Sequence, residues 1–468
     1  MSTQYVNEAR ALLRGRAAAR HSVAVVAVTL FILSVAAISG QAQQVIVTGQ
    51  GEMPVVDAAM KAEIIDSLAA ALNEAYVFPD VAKKMEELMR RQLKNKAYEK
   101  ITRLDEFTQK LTEDMQSISH DGHLHVHPML EAPGEPGDTL TDEERLKRAI
   151  EFGKYRNFGF VKVERLDGNI GYLELYQFAD ASFAGATAVA AMNFLANCDA
   201  LIIDLRRNGG GEPSMIQLIT SYFFNEPVHL NSFYIRRTDS TTQFWTQAFV
   251  EGPRMTDVPI YVLTSDYTFS GAEEFTYNLK NLKRATIIGE TTGGGAHPVD
   301  FRRFFNLQVG MSLPFGRAVN PITGTNWEGT GVEPHIAVPA DSALDVARME
   351  ALQTLFEKET NEDRKYHLDW ILKGLKVMLD PVVLGVDGLR PFVGVYGPRK
   401  ITLENGWLYY QREDRPKYRL TPMGQDMFLL EELDIFRIQF VRDESGAVSE
   451  LIGLYDNGFR DSNERTGN

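Results

Sequence analysis

Apolar positions recur at helical spacing over the first quarter of the chain. Ile64, Leu68 and Leu72 share one face and Phe107, Leu111, Met115 and Ile118 another, so residues 55–118 are predicted to be helical throughout. Leu130 to Thr141, with Pro133, Gly134, Pro136 and Gly137, is predicted to be a loop, and a charged helix is expected from Asp142 to Lys154. From Phe158 to Pro339 the pattern alternates. Strand-like runs at 170–175, 200–205, 259–264 and 285–289 are separated by helical spacing at 181–196, 214–224 and 272–282. Continuous apolar strands between helices predict an α/β sheet, largely parallel and covered on both faces. Residues 341–379 are again predicted to be helical. From Gly394 short β runs at 400–403, 407–410, 427–430, 436–440 and 448–452 alternate with turns such as Asn405-Gly406, which predicts a small antiparallel β domain.

The predicted organisation is a targeting segment (1–42), a helical region (43–130), a linker and helix (131–157), an α/β domain (158–340), a helical connector (341–389) and a β domain (390–468). The targeting reading rests on Arg10, Arg14, Arg16 and Arg20, followed by the apolar run Val23–Ile38 and small residues. Cleavage is expected after Ala42, and export to a bacterial periplasm or the cell exterior follows. An uncleaved anchor is the alternative. Cys198 is the only cysteine, so no internal disulfide forms, and its apolar surroundings predict a buried small residue.

Composition narrows the function. Hydrophobic residues make up 44% and charged residues 24%, ordinary for a folded soluble protein. The formal charge of −14 argues against nucleic acid or anionic lipid as the main partner. Zinc-like Cys/His spacing and phosphate-binding loops are missing from the sequence, so neither a metal nor a cofactor is expected.

Three segments are candidates for chemistry. Thr268-Phe269-Ser270-Gly271-Ala272-Glu273-Glu274 joins a predicted strand to a predicted helix. A serine there is lifted off the sheet, and the helix N-terminus offers N–H groups to an oxyanion. Ser270 also suits a plain N-cap with Glu273 completing a capping box, and the segment alone favours that role. Asp204-Leu-Arg-Arg-Asn-Gly-Gly-Gly211 and Thr291-Thr-Gly-Gly-Gly-Ala-His297 are glycine-rich loops at strand ends, where open α/β sheets bind ligands. Either a tight turn or an anion cradle fits them. Ser119-His-Asp-Gly-His-Leu-His-Val-His127 holds four of the nine histidines. His123, His125 and His127 would share one strand face, as a transition-metal site requires, but no carboxylate or cysteine pattern supports a metal.

Together these motifs resemble the carboxy-terminal processing (tail-specific) peptidase family, in the branch of the tricorn core protease and the interphotoreceptor retinoid-binding protein. Asp-Gly-His123-Leu, Asp204-Leu-Arg-x-Asn-Gly-Gly-Gly, Thr-Phe-Ser270-Gly-Ala-Glu-Glu and Gly289-Glu-Thr-Thr-Gly-Gly-Gly match in order. Glu328-Gly-Thr-Gly-Val-Glu-Pro334 and Leu72-Asn-Glu-Ala-Tyr-Val-Phe-Pro79 add to the likeness, which runs from about residue 55 to 340. The resemblance implies a ClpP/crotonase-like layered β-α core and a serine peptidase acting on peptides or protein tails. It implies Ser270 as nucleophile, His123 as base (His120 the runner-up), Glu328 as the acid that orients it, and N–H groups of Gly209, Gly210 and Gly271 as the oxyanion hole. Lysine-dependent members carry their base where this chain has Gly295. Too few residues separate His127 from Ile170 for the PDZ-type domain of many relatives. A histidine base predicts activity rising near pH 6–7 before environmental shifts. A hydrophobic-ligand carrier, like the retinoid-binding relatives, and an esterase are the competing expectations.

Overall fold

The computed structural model describes residues 53–129 and 141–467. The targeting segment and most of the predicted loop at 130–141 lie outside the described residues. Helices α1 (Ala58–Ala75), α2 (Pro79–Lys94) and α3 (Leu104–Ser119) occupy the stretch predicted as continuous helix. It is broken twice. Tyr76 leaves helical φ/ψ and Pro79 starts α2, since proline lacks the N–H an interior turn needs. The buried faces of the three helices pack on Leu124, Val126, Val309, Met311 and Leu313. Those residues come from a small antiparallel sheet in which β10 (Val309–Pro314) lies between β1 (His125–Pro128) and β9 (Val299–Phe304). The helical region is thus closed by strands from 170 residues further on, a long-range pairing that periodicity does not reveal. The charged helix α4 spans Asp142–Tyr155, with Thr141 and Glu144 forming a capping box.

The central sheet has six strands: β2 (Phe160–Leu166), β3 (Ile170–Leu175), β4 (Ala200–Asp204), β7 (Ile260–Thr264), β8 (Ala285–Gly289) and β12 (Ile336–Ala337). Their order is β12-β8-β7-β4-β3-β2, and every neighbouring pair is parallel except β2–β3. Alternation along each strand sends side chains to two cores. Leu201, Ile203 and Val262 meet α5 (Ala181–Leu195), α6 (Pro213–Ser221) and α7 (Gly271–Asn281) on one face. Ile202, Tyr261, Leu263 and Ile288 meet α8 (Ala340–Lys358) and α9 (Glu362–Leu379) on the other. Each such side chain contributes about 1.5–3 kcal/mol by leaving water. The result is a layered α/β core, as predicted. Cys198 is buried in it. Two antiparallel pieces were missed: β9–β10 above, and β5 (His229–Ile235) flanked by β6 (Ser240–Trp245) and β11 (Gly316–Val319). Residues of β6 are mostly exposed, so no apolar alternation marks it.

Parallel pairing puts the carboxyl ends of β4, β7 and β8 at one edge, with Asp204 opposite Leu263 and Thr264 opposite Gly289. The loops 205–212, 265–270 and 290–298 therefore leave the sheet side by side. This register assembles the site.

The C-terminal region closes into a barrel of eight antiparallel strands, from β13 (Gly394–Tyr396) to β20 (Arg460–Gly467), with β13 and β20 paired. Phe392, Tyr396, Phe428 and Phe440 fill it. It is anchored on α9, where the Arg437 guanidinium lies 3.8 Å from the Trp370 ring centroid and the Trp370 indole N–H donates to Asp434 O at 2.8 Å.

Candidate active site

Ser270 sits between β7 and α7 with φ 53° and ψ −120°. A non-glycine residue pays for a positive φ, so a surrounding structure must hold it there. That structure is Glu273. Its carboxylate accepts hydrogen bonds from the backbone N–H of Ser270 (2.9 Å), Gly294 (2.7 Å) and Gly295 (2.8 Å), and from the Thr292 hydroxyl. The expected capping glutamate is present, but it latches the serine turn to the second glycine loop rather than merely starting a helix. Burial pushes its carboxyl up to about 7, against these four donors. Glu273→Ala would strand buried N–H groups, each costing about 1–3 kcal/mol. Thermal melting of this variant is expected to show a loss of at least roughly 3 kcal/mol; an unshifted melting curve would mean that the latch carries no stability.

The first glycine loop lies against the serine. A Cβ on Gly210 (φ 110°) would fall 2.7 Å from the Gly271 nitrogen and 2.8 Å from Ser270 Cβ, so only glycine allows this approach. The Gly210 N–H donates to Asn208 Oδ1 at 2.8 Å, which removes it from the donors available to a substrate. Among the described residues, no hydrogen bond uses the N–H groups of Gly209 and Gly271. Tyr267, 47% exposed, lines the same opening, its hydroxyl near Gly209.

His123 follows the C-terminus of α3 and is buried, with its ring 4.6 Å from that of Phe269, the residue before Ser270. Its backbone N–H donates to Asp121 Oδ1 at 3.0 Å. Neither ring nitrogen has a hydrogen-bond partner among the described residues, so the bonds expected from Ser270 and to Glu328 are unmade. Burial pushes the imidazole down to about 4, against the charge of Asp121. His120, the runner-up, is exposed and caps α3 with φ 52°. His125 donates from Nε2 to Gly122 O at 3.0 Å and stacks on His127 along β1, but His123 lies before that strand, so the three-histidine strand face does not form.

Glu328 reaches the same place from the loop before β12. Its Oε1 accepts from Gly122 N–H (3.3 Å) and its Oε2 from Ala296 N–H (2.6 Å). Ligating atoms of Asp121, His123 and Glu328 all lie within 4.8 Å of one another. Both carboxylates accept from N–H and O–H donors around the imidazole. Burial and the nearby charge of Asp121 push Glu328 up to about 7.

Three further residues, from segments already singled out in the sequence, take part. Asp121 Oδ2 accepts from the Tyr76 hydroxyl (3.1 Å) and from His297 Nδ1 (2.8 Å), and His297 Nδ1 also lies 3.5 Å from Glu328 Oε2. Tyr76 comes from the segment that resembles the family's N-terminal region. The available signal was Asp121 inside the matching Asp-Gly-His123-Leu motif and His297 at the end of the second glycine loop.

A serine on a strained strand-to-helix turn, unused N–H groups beside it and an imidazole backed by carboxylates form the layout of an acyl-transfer site on an α/β core. Comparison with known proteins agrees. Residues 169–338 match peptidase family S41, and residues 56–152 match the N-terminal domain of peptidase S41 in eukaryotic IRBP. The chain belongs to peptidase family S41. It is 26% identical over 202 residues to the tricorn protease of Thermoplasma volcanium, covering 43% of this chain and 18% of that one. It is 29% identical over 178 residues to the carboxy-terminal-processing protease of Bartonella bacilliformis, covering 37% and 40%. The matches thus span less than half of either relative. Among solved structures, the photosystem II D1 C-terminal processing protease aligns over 60% of this chain and 94% of its own, at 16% identity and a TM-score of 0.37.

Proposed function

We propose that the protein is an exported serine peptidase that hydrolyses peptide bonds through an acyl-enzyme. Ser270 attacks the carbonyl, His123 takes and returns the proton, and Glu328 supports the imidazolium that forms in between. The N–H groups of Gly209 and Gly271 receive the oxyanion. Gly210 gives no N–H, but its missing side chain lets the loop approach Ser270. The observation that carries this reading is the pairing of a strained Ser270 turn with the buried, unpartnered His123 ring packed on Phe269. An imidazole with both nitrogens free inside a protein is costly unless a partner arrives. A substrate that reorders the Ser270 side chain would supply it, since catalytic hydrogen bonds often tighten only in the complex.

Proton chemistry follows from the burial. His123 stays neutral down to about pH 4, so its protonation limb lies below the pH 6–7 of an unperturbed histidine. A rise in kcat/KM between about pH 6 and 8 then reports the Glu328 carboxyl, which must be ionised to support the imidazolium. The N-terminal arginines and apolar run support export.

The test is labelling with a serine-reactive fluorophosphonate, followed by mapping of the modified residue. Modification at Ser270, with peptide hydrolysis lost in proportion, is expected. A folded protein that neither reacts nor hydrolyses peptides would favour the ligand-carrier function, and label on another serine would reassign the nucleophile.

A further inference from the structure

Two carboxylates and one imidazole lie behind His123, contributed by the loop after α3 (Asp121), the second glycine loop (His297) and the loop before β12 (Glu328). His297 Nδ1 is 2.8 Å from Asp121 Oδ2 and 3.5 Å from Glu328 Oε2. The ring is 5% exposed, with its edge against Phe78. Two carboxylates this close, both shielded from water, repel strongly, and one takes up a proton unless a cation stands between them. We propose that His297 is that cation: a positioning residue, held as imidazolium, that keeps Asp121 and Glu328 charged behind the His123 base.

The groups facing His297 support this. Asp121 and Glu328 are the acids, while Arg317 on β11 opposes the positive charge and the buried His123, neutral above about pH 4, adds none. Tyr76 donates its hydroxyl to Asp121 and stays neutral. Burial works to lower the His297 pKa, yet the hydrogen bond and charge of Asp121, with Glu328 adding, leave it raised. Asp121 is correspondingly lowered: burial would raise it, and His297 together with His123 outweighs the burial. With Glu328 ionised, the three groups carry a net charge of −1. Removing the cation leaves −2, and Glu328, already near 7, is the group that protonates first. A neutral Glu328 no longer stabilises the imidazolium formed when His123 accepts the serine proton. Raising the pH removes that proton and restores the support.

This rests on the serine-peptidase reading, and its test separates the two. His297→Asn keeps an N–H near the Nδ1 position but carries no charge. Its kcat/KM is expected to fall about fivefold at pH 7, with the acid limb displaced upward by about one pH unit and activity recovering near pH 9. KM should change by no more than about twofold, and His297→Lys, which returns a cation, should move the limb back. An equal loss at every pH would mean that His297 only fills space, and an unchanged profile would mean that it does nothing here. Either result overturns the proposal. Should His297→Asn not fold, NMR titration of the histidine C–H resonances in the intact chain decides the matter. Titration of His297 above the range of an unperturbed histidine is expected, and titration at or below that range overturns it. Turnover surviving in Ser270→Ala would instead defeat the underlying peptidase reading.

Discussion

Replacing either Ser270 or His123 with alanine should lower kcat/KM for a peptide substrate by on the order of 10⁴–10⁶-fold. The serine hydroxyl is a weak nucleophile without a positioned base, and no lysine stands where other members of the family carry theirs. The double variant should be scarcely slower than either single one, because nucleophile and base act as a unit. Glu328→Gln should cost less, since the base remains and only charge support is lost. It should also flatten the pH dependence between about 6 and 8, because the carboxyl that titrates there is gone. The measurement is steady-state kinetics on variants whose melting temperatures match the parent. A His123→Ala protein with parental turnover would sink the mechanism and put the binding-protein function ahead.

The second large effect concerns Gly295. An ideal Cβ there would lie 2.2 Å from Phe269 Cζ and 2.6 Å from His123 Cε1. The His123 imidazole and the Phe269 ring thus fill the space that a side chain at this position would enter. Histidine and lysine bases exclude one another in this pocket. Gly295→Ala should therefore push the imidazole out of line and lower kcat/KM by at least roughly 10²-fold, the usual consequence of a displacement near 1 Å. Gly295→Lys should be no better, although it restores the residue type of the lysine-dependent members. Rigid neighbours are the reason: the Gly295 N–H is latched by Glu273 and its carbonyl accepts from the Trp327 indole at 2.7 Å, so the loop has little freedom to retreat. Full activity in Gly295→Ala would show that His123 does not work from its observed place.

Much of the architecture was legible because the relevant forces are local. The unbroken apolar run at 259–264 followed by helical spacing from Ala272 placed Ser270 on a strand-to-helix turn, and the structure has β7, the turn and α7 there. Short alternating runs after Gly394 announced antiparallel strands, although barrel closure depends on β13 meeting β20 some seventy residues later. The three glycines at 209–211 marked a close backbone approach, and Gly210 makes one.

Other features were decided only by tertiary structure. Gly122 and Glu328 touch across 206 positions, and His297 joins Asp121 across 176. No periodicity encodes such pairings; they arise where parallel strands bring their loops to one edge of the sheet. Packing also sets His120 and His123 apart, since one caps a helix in solvent while Phe269 and the glycine loop bury the other. The Gly210 N–H was lost as a donor because Asn208 folds back onto it. By itself, then, the sequence determined the order of elements, the serine turn and the residue types available for chemistry, because those follow from spacing along a short stretch of chain. Which of those residues meet, which N–H groups stay free and which carboxyls share a buried charge were settled by tertiary packing, because burial and electrostatic coupling depend on distances in space.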